Sequence, residues 1–136
     1  MAPPIDALRR WLSDPVLIRQ SLRFGLSGLF VTGLHVVMAA GLINLASLKP
    51  AIANGVAYVI ATITSYTINT LWSFKSTPII GNLLRFLAVS ISGLLLTMLI
   101  TGIIDRLGFS YWLGIAVVVL LVPPLTFLLH RNWTYR

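Results

Sequence analysis

Leu22-Arg23-Phe24 opens an apolar stretch that closes at Trp72-Ser73-Phe74, and Leu84-Arg85-Phe86 opens a second that closes at Trp133-Thr134-Tyr135. Arg23 and Trp72 stand 49 positions apart, Arg85 and Trp133 48. Each unit begins with a basic-aromatic pair and ends with Trp, a hydroxyl residue and an aromatic. Self-similarity at such a spacing is an architectural signal, because each copy is one supersecondary unit. The repeats run from about 22 to 74 and from about 84 to 135.

Between these markers almost nothing is charged. Residues 24–48, 50–74, 86–104 and 107–130 contain no Lys, Arg, Asp or Glu. Each run reaches the roughly 20 residues that an α-helix needs to cross about 30 Å of hydrocarbon. The chain is 57% hydrophobic and 10% charged, with a mean hydropathy of +0.92. A soluble domain of this size could not cover four such helices with a polar surface. The fold expected is therefore all-α and integral to the membrane, with four transmembrane helices. The first apolar run is too long for a signal-peptide core and is expected to stay as a helix.

The expected helices run from about Phe24 to Leu45, Ala51 to Trp72, Leu83 to Ile104 and Tyr111 to Leu129. A break or kink is expected near Pro123-Pro124, since two backbone donors are missing there. Ala46 to Pro50 and Asp105 to Gly108 form tight hairpins. Lys75 to Asn82 is the longer connector. Residues 1–21 read as a cytoplasmic interfacial lead. Ile5, Leu8, Trp11 and Leu12 share a helical face, with Arg9 and Arg10 off it. Asp14-Pro15 is a helix-start signal, because Asp accepts from free N–H groups and Pro lacks one. Residues 22–136 form the membrane domain.

Orientation follows from the basic residues. Arg9, Arg10, Arg19, Arg23, Lys75, Arg85, Arg131 and Arg136 flank one side; only Lys49 and Arg106 flank the other. The positive-inside rule then puts both termini in the cytoplasm. Each repeat crosses twice, so the two are parallel, related by an axis along the membrane normal. Arg23, Trp72, Arg85 and Trp133 all fall at the cytoplasmic face. The expected location is the cytoplasmic (inner) membrane, multi-pass.

A net charge of +7 could suggest nucleic acid. The basic residues instead sit at the ends of apolar runs, where they meet lipid headgroups, so nucleic acid is excluded as a partner. There is no cysteine. The three acids, Asp6, Asp14 and Asp105, lie outside the spans, which leaves no carboxylate pair for acid-base catalysis. His35 and His130 do not cluster as metal ligands. No enzyme activity, cofactor or metal is expected.

Polar residues inside the spans are the site candidates. The second helix carries Asn54, Tyr58, Thr62, Ser65 and Asn69 at three- and four-residue steps, so they share one face leading to Trp72. The first offers Gly28, Thr32 and His35, the third Ser90, Gly93, Thr97 and Thr101, the fourth Pro123, Thr126 and His130. Small and hydroxyl residues also serve ordinary helix packing in membranes. His35 is the ionisable group deepest in a span, and His130 sits near the cytoplasmic end, at the interface. Arg23 and Arg85 are anchors or phosphate ligands; a guanidinium grips phosphate with two parallel hydrogen bonds. Trp72 and Trp133 fit an aromatic belt.

With these motifs the chain resembles the GtrA-like family of small four-helix membrane proteins. The resemblance rests on Leu22-Arg23-Phe24, on Ser65 through Phe74, and on their echoes Leu84-Arg85-Phe86 and Thr126 through Tyr135. It covers about residues 20–135. It implies translocation of a polyprenyl-phosphate-linked sugar across the cytoplasmic membrane for cell-surface polysaccharide synthesis. The phosphate would meet Arg23, Arg85 and Arg131. The sugar path or interface would involve His35, Asn54, Tyr58, Thr62, Ser65, Asn69, Trp72, His130 and Trp133. Typical members carry Arg after the Asn of the first end motif, where this chain has Thr70. Membrane lipids, a glycosyltransferase that receives the sugar and a second copy of the chain are the expected partners. Two alternatives stand beside this one. One is a non-transporting subunit that recruits a glycosyltransferase. The other is a small multidrug antiporter, disfavoured because no carboxylate lies in a span.

Overall fold

The computed structural model describes Arg9 and residues 12–136. It divides into two units, residues 1–77 and 78–136, each a helical hairpin. The first contains α1 (Pro15–Asn44), α2 (Pro50–Ile68) and a terminal π turn, π1 (Asn69–Ser73). The second contains α3 (Ile80–Arg106), α4 (Tyr111–Leu129) and π2 (His130–Thr134). The described residues contain no strand. Among the described residues four helices are long and apolar enough to cross a membrane: Pro15–Asn44, Pro50–Ser73, Ile80–Arg106 and Trp112–Thr134.

α1 starts where its sequence signal lies. The Asp14 carboxylate accepts from the Val16 N–H at 2.9 Å, and Pro15 takes the first helical position. The helix then runs for 30 residues without interruption, about 45 Å at 1.5 Å per residue. No backbone break marks the expected boundary at residue 21. Residues 1–8, 10 and 11, which carry most of the expected amphipathic lead, lie outside the described residues.

The hairpin of the first unit packs through small side chains. Ser27 and Ala39 of α1 and Ala53, Ala57 and Ala61 of α2 are buried. Alanine at four-residue steps lets the two backbones approach, the usual solution where no water drives helices together. The second unit uses a mixed interface. Phe86 and Val89 of α3 are buried, as is Phe127 of α4. Gly93 leaves room for Thr126, whose Cγ2 would stand 3.0 Å from any Cβ added there.

The α3–α4 turn is a Schellman motif. Gly108 has φ +75°. Its N–H donates to Asp105 O at 2.9 Å, and the Phe109 N–H donates to Ile104 O at 3.2 Å. Glycine suits this left-handed position because it has no Cβ to clash. Of the break or kink expected at Pro123-Pro124, no break occurs, since α4 continues through both prolines. A π turn follows at His130, where the helix widens by one residue per turn.

Candidate functional site

Each unit ends in the same device. The Arg23 guanidinium donates through Nη1 to the Trp72 carbonyl at 3.0 Å. Its carbon lies 5.4 Å from the centroid of the Trp72 ring. In the second unit Arg85 donates to the Trp133 carbonyl at 3.1 Å and sits 5.9 Å from that ring. Both separations are within the range of a cation–π contact. The expected proximity of the two residue types is thus a direct clasp in each hairpin.

The π turns explain why a carbonyl is on offer. The Phe74 N–H donates to Asn69 O at 2.9 Å, and the Tyr135 N–H to His130 O at 3.0 Å. These bonds span five residues, a wide turn often seen at functional sites. The last carbonyls of any helix lack partners within it. A guanidinium from the neighbouring helix fills that need for Trp72 and Trp133, and a cation is favourable at the negative end of a helix. One donor goes to the carbonyl, while arginine has five.

Beneath the clasps the two units differ. In the first, Asn69 is buried and bridges the helices. Ser27 Oγ lies 2.8 Å from Asn69 Oδ1, to which it donates, and Asn69 Nδ2 donates to Ser65 O at 2.9 Å. In the second, Val89 holds the place of Ser27 and His130 that of Asn69, three residues before the tryptophan. His130 stacks on Phe86 with centroids 4.7 Å apart, and its Nδ1 lies 3.1 Å from Thr134 Oγ1. His130 is 3% exposed, inside the hairpin.

The stripe expected on the second helix divides in two. The buried seam of this helix follows Ala53, Ala57 and Ala61, passes the half-buried Ser65, and continues to Asn69 and Ser73. Successive members of such a four-residue row precess by about 40° around the helix. Asn54, Tyr58 and Thr62 therefore start beside the seam, and the stripe joins it only at Ser65. Tyr58 is 50% exposed. Thr62 is half-buried and Asn54 exposed. Asn54 Nδ2 donates to Pro50 O at 2.9 Å, which turns its Oδ1 towards His35 Nε2, 3.4 Å away. Arg131 lies half-buried within π2 and has its own partner. Trp72 and Trp133 keep 42% and 47% of their surface exposed.

The π turns and the Ser27–Asn69 bridge escaped sequence reading. A signal for the second existed. Ser27 is four residues on from Arg23, and Asn69 three back from Trp72, so an antiparallel pair that joins the ends must also join these two.

Residues 23–135 match the family described as GtrA/DPMS, transmembrane domain. The chain belongs to that family. Searches of curated proteins and of solved structures found no match. The GtrA/DPMS domain spans both clasps, from Arg23 to the residue after Thr134. Membership makes the chain a multi-pass membrane protein and ties it to the handling of lipid-linked sugars. Among the described residues no three His, Cys, Asp or Glu side chains group as metal ligands.

Proposed function

We propose that this GtrA/DPMS protein moves a polyprenyl-phosphate-linked sugar from the cytoplasmic to the outer leaflet of the cell membrane. The carrying observation is the matched pair of Arg–Trp clasps, each closing an apolar hairpin. A lipid phosphate needs a cation at headgroup depth, and its isoprenoid needs lipid-facing apolar walls. The clasped arginines keep donors to spare, and each is held by an indole whose ring remains accessible. The distribution of basic residues puts both clasps and both termini on the cytoplasmic side in this reading.

The test is transport by purified protein in liposomes that contain a labelled polyprenyl-phosphate glucose. Wild-type protein should expose the label to an impermeant reagent faster than empty liposomes do. Arg23→Ala combined with Arg85→Ala should remove the increment, while the protein still inserts. A folded wild-type protein that moves no lipid would refute transport. It would favour a membrane subunit that presents the lipid to a glycosyltransferase.

A further inference from the structure

The second unit carries a cleft at the end opposite its clasp. It holds about 480 Å³ and is lined by Met98, Thr101, Gly102, Asp105, Phe109 and Gly114, among others. That volume falls within the roughly 300–1,000 Å³ of small-molecule sites. The rise from Arg85 to Asp105 along α3 is about 30 Å at 1.5 Å per residue, one hydrocarbon thickness. If the clasp lies in one headgroup layer, the cleft lies in the other.

Its chemistry is sparse and specific. Among the described residues the Asp105 carboxylate has no ion-pair or hydrogen-bond partner. Both of its oxygens can therefore accept. Thr101 Oγ1 donates to Thr97 O at 2.8 Å and keeps its lone pairs. Phe109 is 56% exposed and offers a ring. Gly114 admits Thr101 and Ile104 at ordinary contact, 3.6 and 3.8 Å from where a Cβ would stand. The Schellman turn at Gly108 fixes where Phe109 leaves the helix. A carboxylate that takes neighbouring hydroxyls, next to an aromatic face that takes C–H edges, is a set suited to a sugar ring.

We propose that this cleft binds the glycosyl headgroup of the lipid-linked sugar at the membrane face opposite the clasps, with Asp105 accepting from ring hydroxyls and Phe109 stacked on the ring. The proposal rests on the lipid-linked-sugar reading and adds a second site to it. Charge-assisted hydrogen bonds are the stronger ones, so Asp105 dominates affinity and Phe109 sets orientation.

The experiment uses the full chain in lipid nanodiscs, with empty nanodiscs as the reference. The probes are hexyl β-glucoside, hexyl β-galactoside and hexyl β-mannoside below their micelle concentrations. Hexanol is the headless control and hexyltrimethylammonium the cationic one. Saturation-transfer NMR reads which probe protons touch protein and how tightly each probe binds. At least one glycoside should bind through its ring protons. Asp105→Ala should weaken it about tenfold. Gly102→Leu should block it by filling the cleft. A Cβ at Gly102 meets nothing within 4 Å, and leucine favours the helix, so this variant folds. Leu95→Ala, at an exposed position of α3, should leave binding unchanged. No glycoside signal above empty nanodiscs overturns the proposal, as does binding indifferent to Asp105. Tighter binding of the ammonium than of every glycoside makes the cleft a cation site and also overturns it. No transport is measured here. A protein that binds glycosides but moves no lipid in liposomes keeps the cleft and loses the translocase reading.

Discussion

The clasp can be taken apart by a double-mutant cycle. Arg23 makes two contacts with one residue, to the Trp72 carbonyl at 3.0 Å and to the Trp72 ring at 5.4 Å. The carbonyl belongs to the backbone, so Trp72→Leu removes the ring contact and leaves the hydrogen bond. A charged hydrogen bond contributes about 1.5–3 kcal/mol; partial exposure of Arg23 places it at the low end. A partly exposed cation–π pair contributes about 0.5–1 kcal/mol. Arg23→Ala should therefore lower unfolding free energy by about 2–2.5 kcal/mol. In the Trp72→Leu background it should still cost about 1.5 kcal/mol. The coupling between the two changes is the difference, about 0.5–1 kcal/mol. Arg23→Lys should recover less than half, because an ammonium lacks the planar fork that reaches carbonyl and ring together. The assay is reversible unfolding of the full chain in mixed micelles, read by circular dichroism. Unchanged stability for Arg23→Ala would refute the clasp as a structural element. A coupling near zero would remove the ring from it and leave the carbonyl bond alone.

Three further predictions concern the frame around the site. A single cysteine at Ser47 should react with an impermeant thiol reagent in intact cells and one at Thr77 should not; the opposite labelling would reverse the proposed orientation. Asn69→Leu should lower stability by about 1 kcal/mol, since polar bridges between membrane helices are modest and Ser27 Oγ can still donate to Phe24 O at 2.9 Å. Full stability with lost transport would instead make Asn69 a contact of the moving sugar. Gly108→Ala should cost about 1 kcal/mol through its φ of +75°, although the added Cβ meets nothing within 4 Å. An unchanged melting temperature would show that the turn relaxes freely.

Hydropathy and punctuation made most of the fold legible. Charge-free runs gave four spans, Asp14-Pro15 a helix start and Gly108 a turn, because each depends on residues adjacent in the chain. The pairing of Arg23 with Trp72 was legible as a repeated position but not as a contact. Spacing says what recurs; only the antiparallel register of the hairpin says what meets. The π turns left no trace in composition, since moving a hydrogen bond from the fourth residue to the fifth changes no side chain. The stripe from Asn54 to Asn69 was read as one face because its residues lie within one arc of the helix. What divided it was the buried alanine row Ala53, Ala57 and Ala61, each one position before a member of the stripe; which of two adjacent positions is buried depends on the partner helix.

The duplication also tests itself. Both hairpins keep the arginine, the tryptophan and the π turn, yet they fill the space beneath with different chemistry. The first has Ser27, Asn69 and Ser73, and the second has Val89, His130 and Thr134. Ser73 Oγ is buried with no partner, whereas Thr134 Oγ1 meets His130 Nδ1 at 3.1 Å. The aromatic below is the same in both, Phe24 and Phe86. If the clasp depends on the π turn and not on one particular filling, the second filling should work in the first unit. Ser27→Val alone deprives Asn69 Oδ1 of its donor and should cost about 1–2 kcal/mol, the penalty for an unsatisfied buried acceptor. Ser27→Val with Asn69→His and Ser73→Thr removes that acceptor, gives the residue-73 hydroxyl a partner and offers the imidazole the ring of Phe24. The triple variant should recover most of the loss, measured by the same micelle unfolding. A triple variant less stable than Ser27→Val alone would mean that each unit's filling is specific to its own hairpin, and that the clasp is not the independent element proposed.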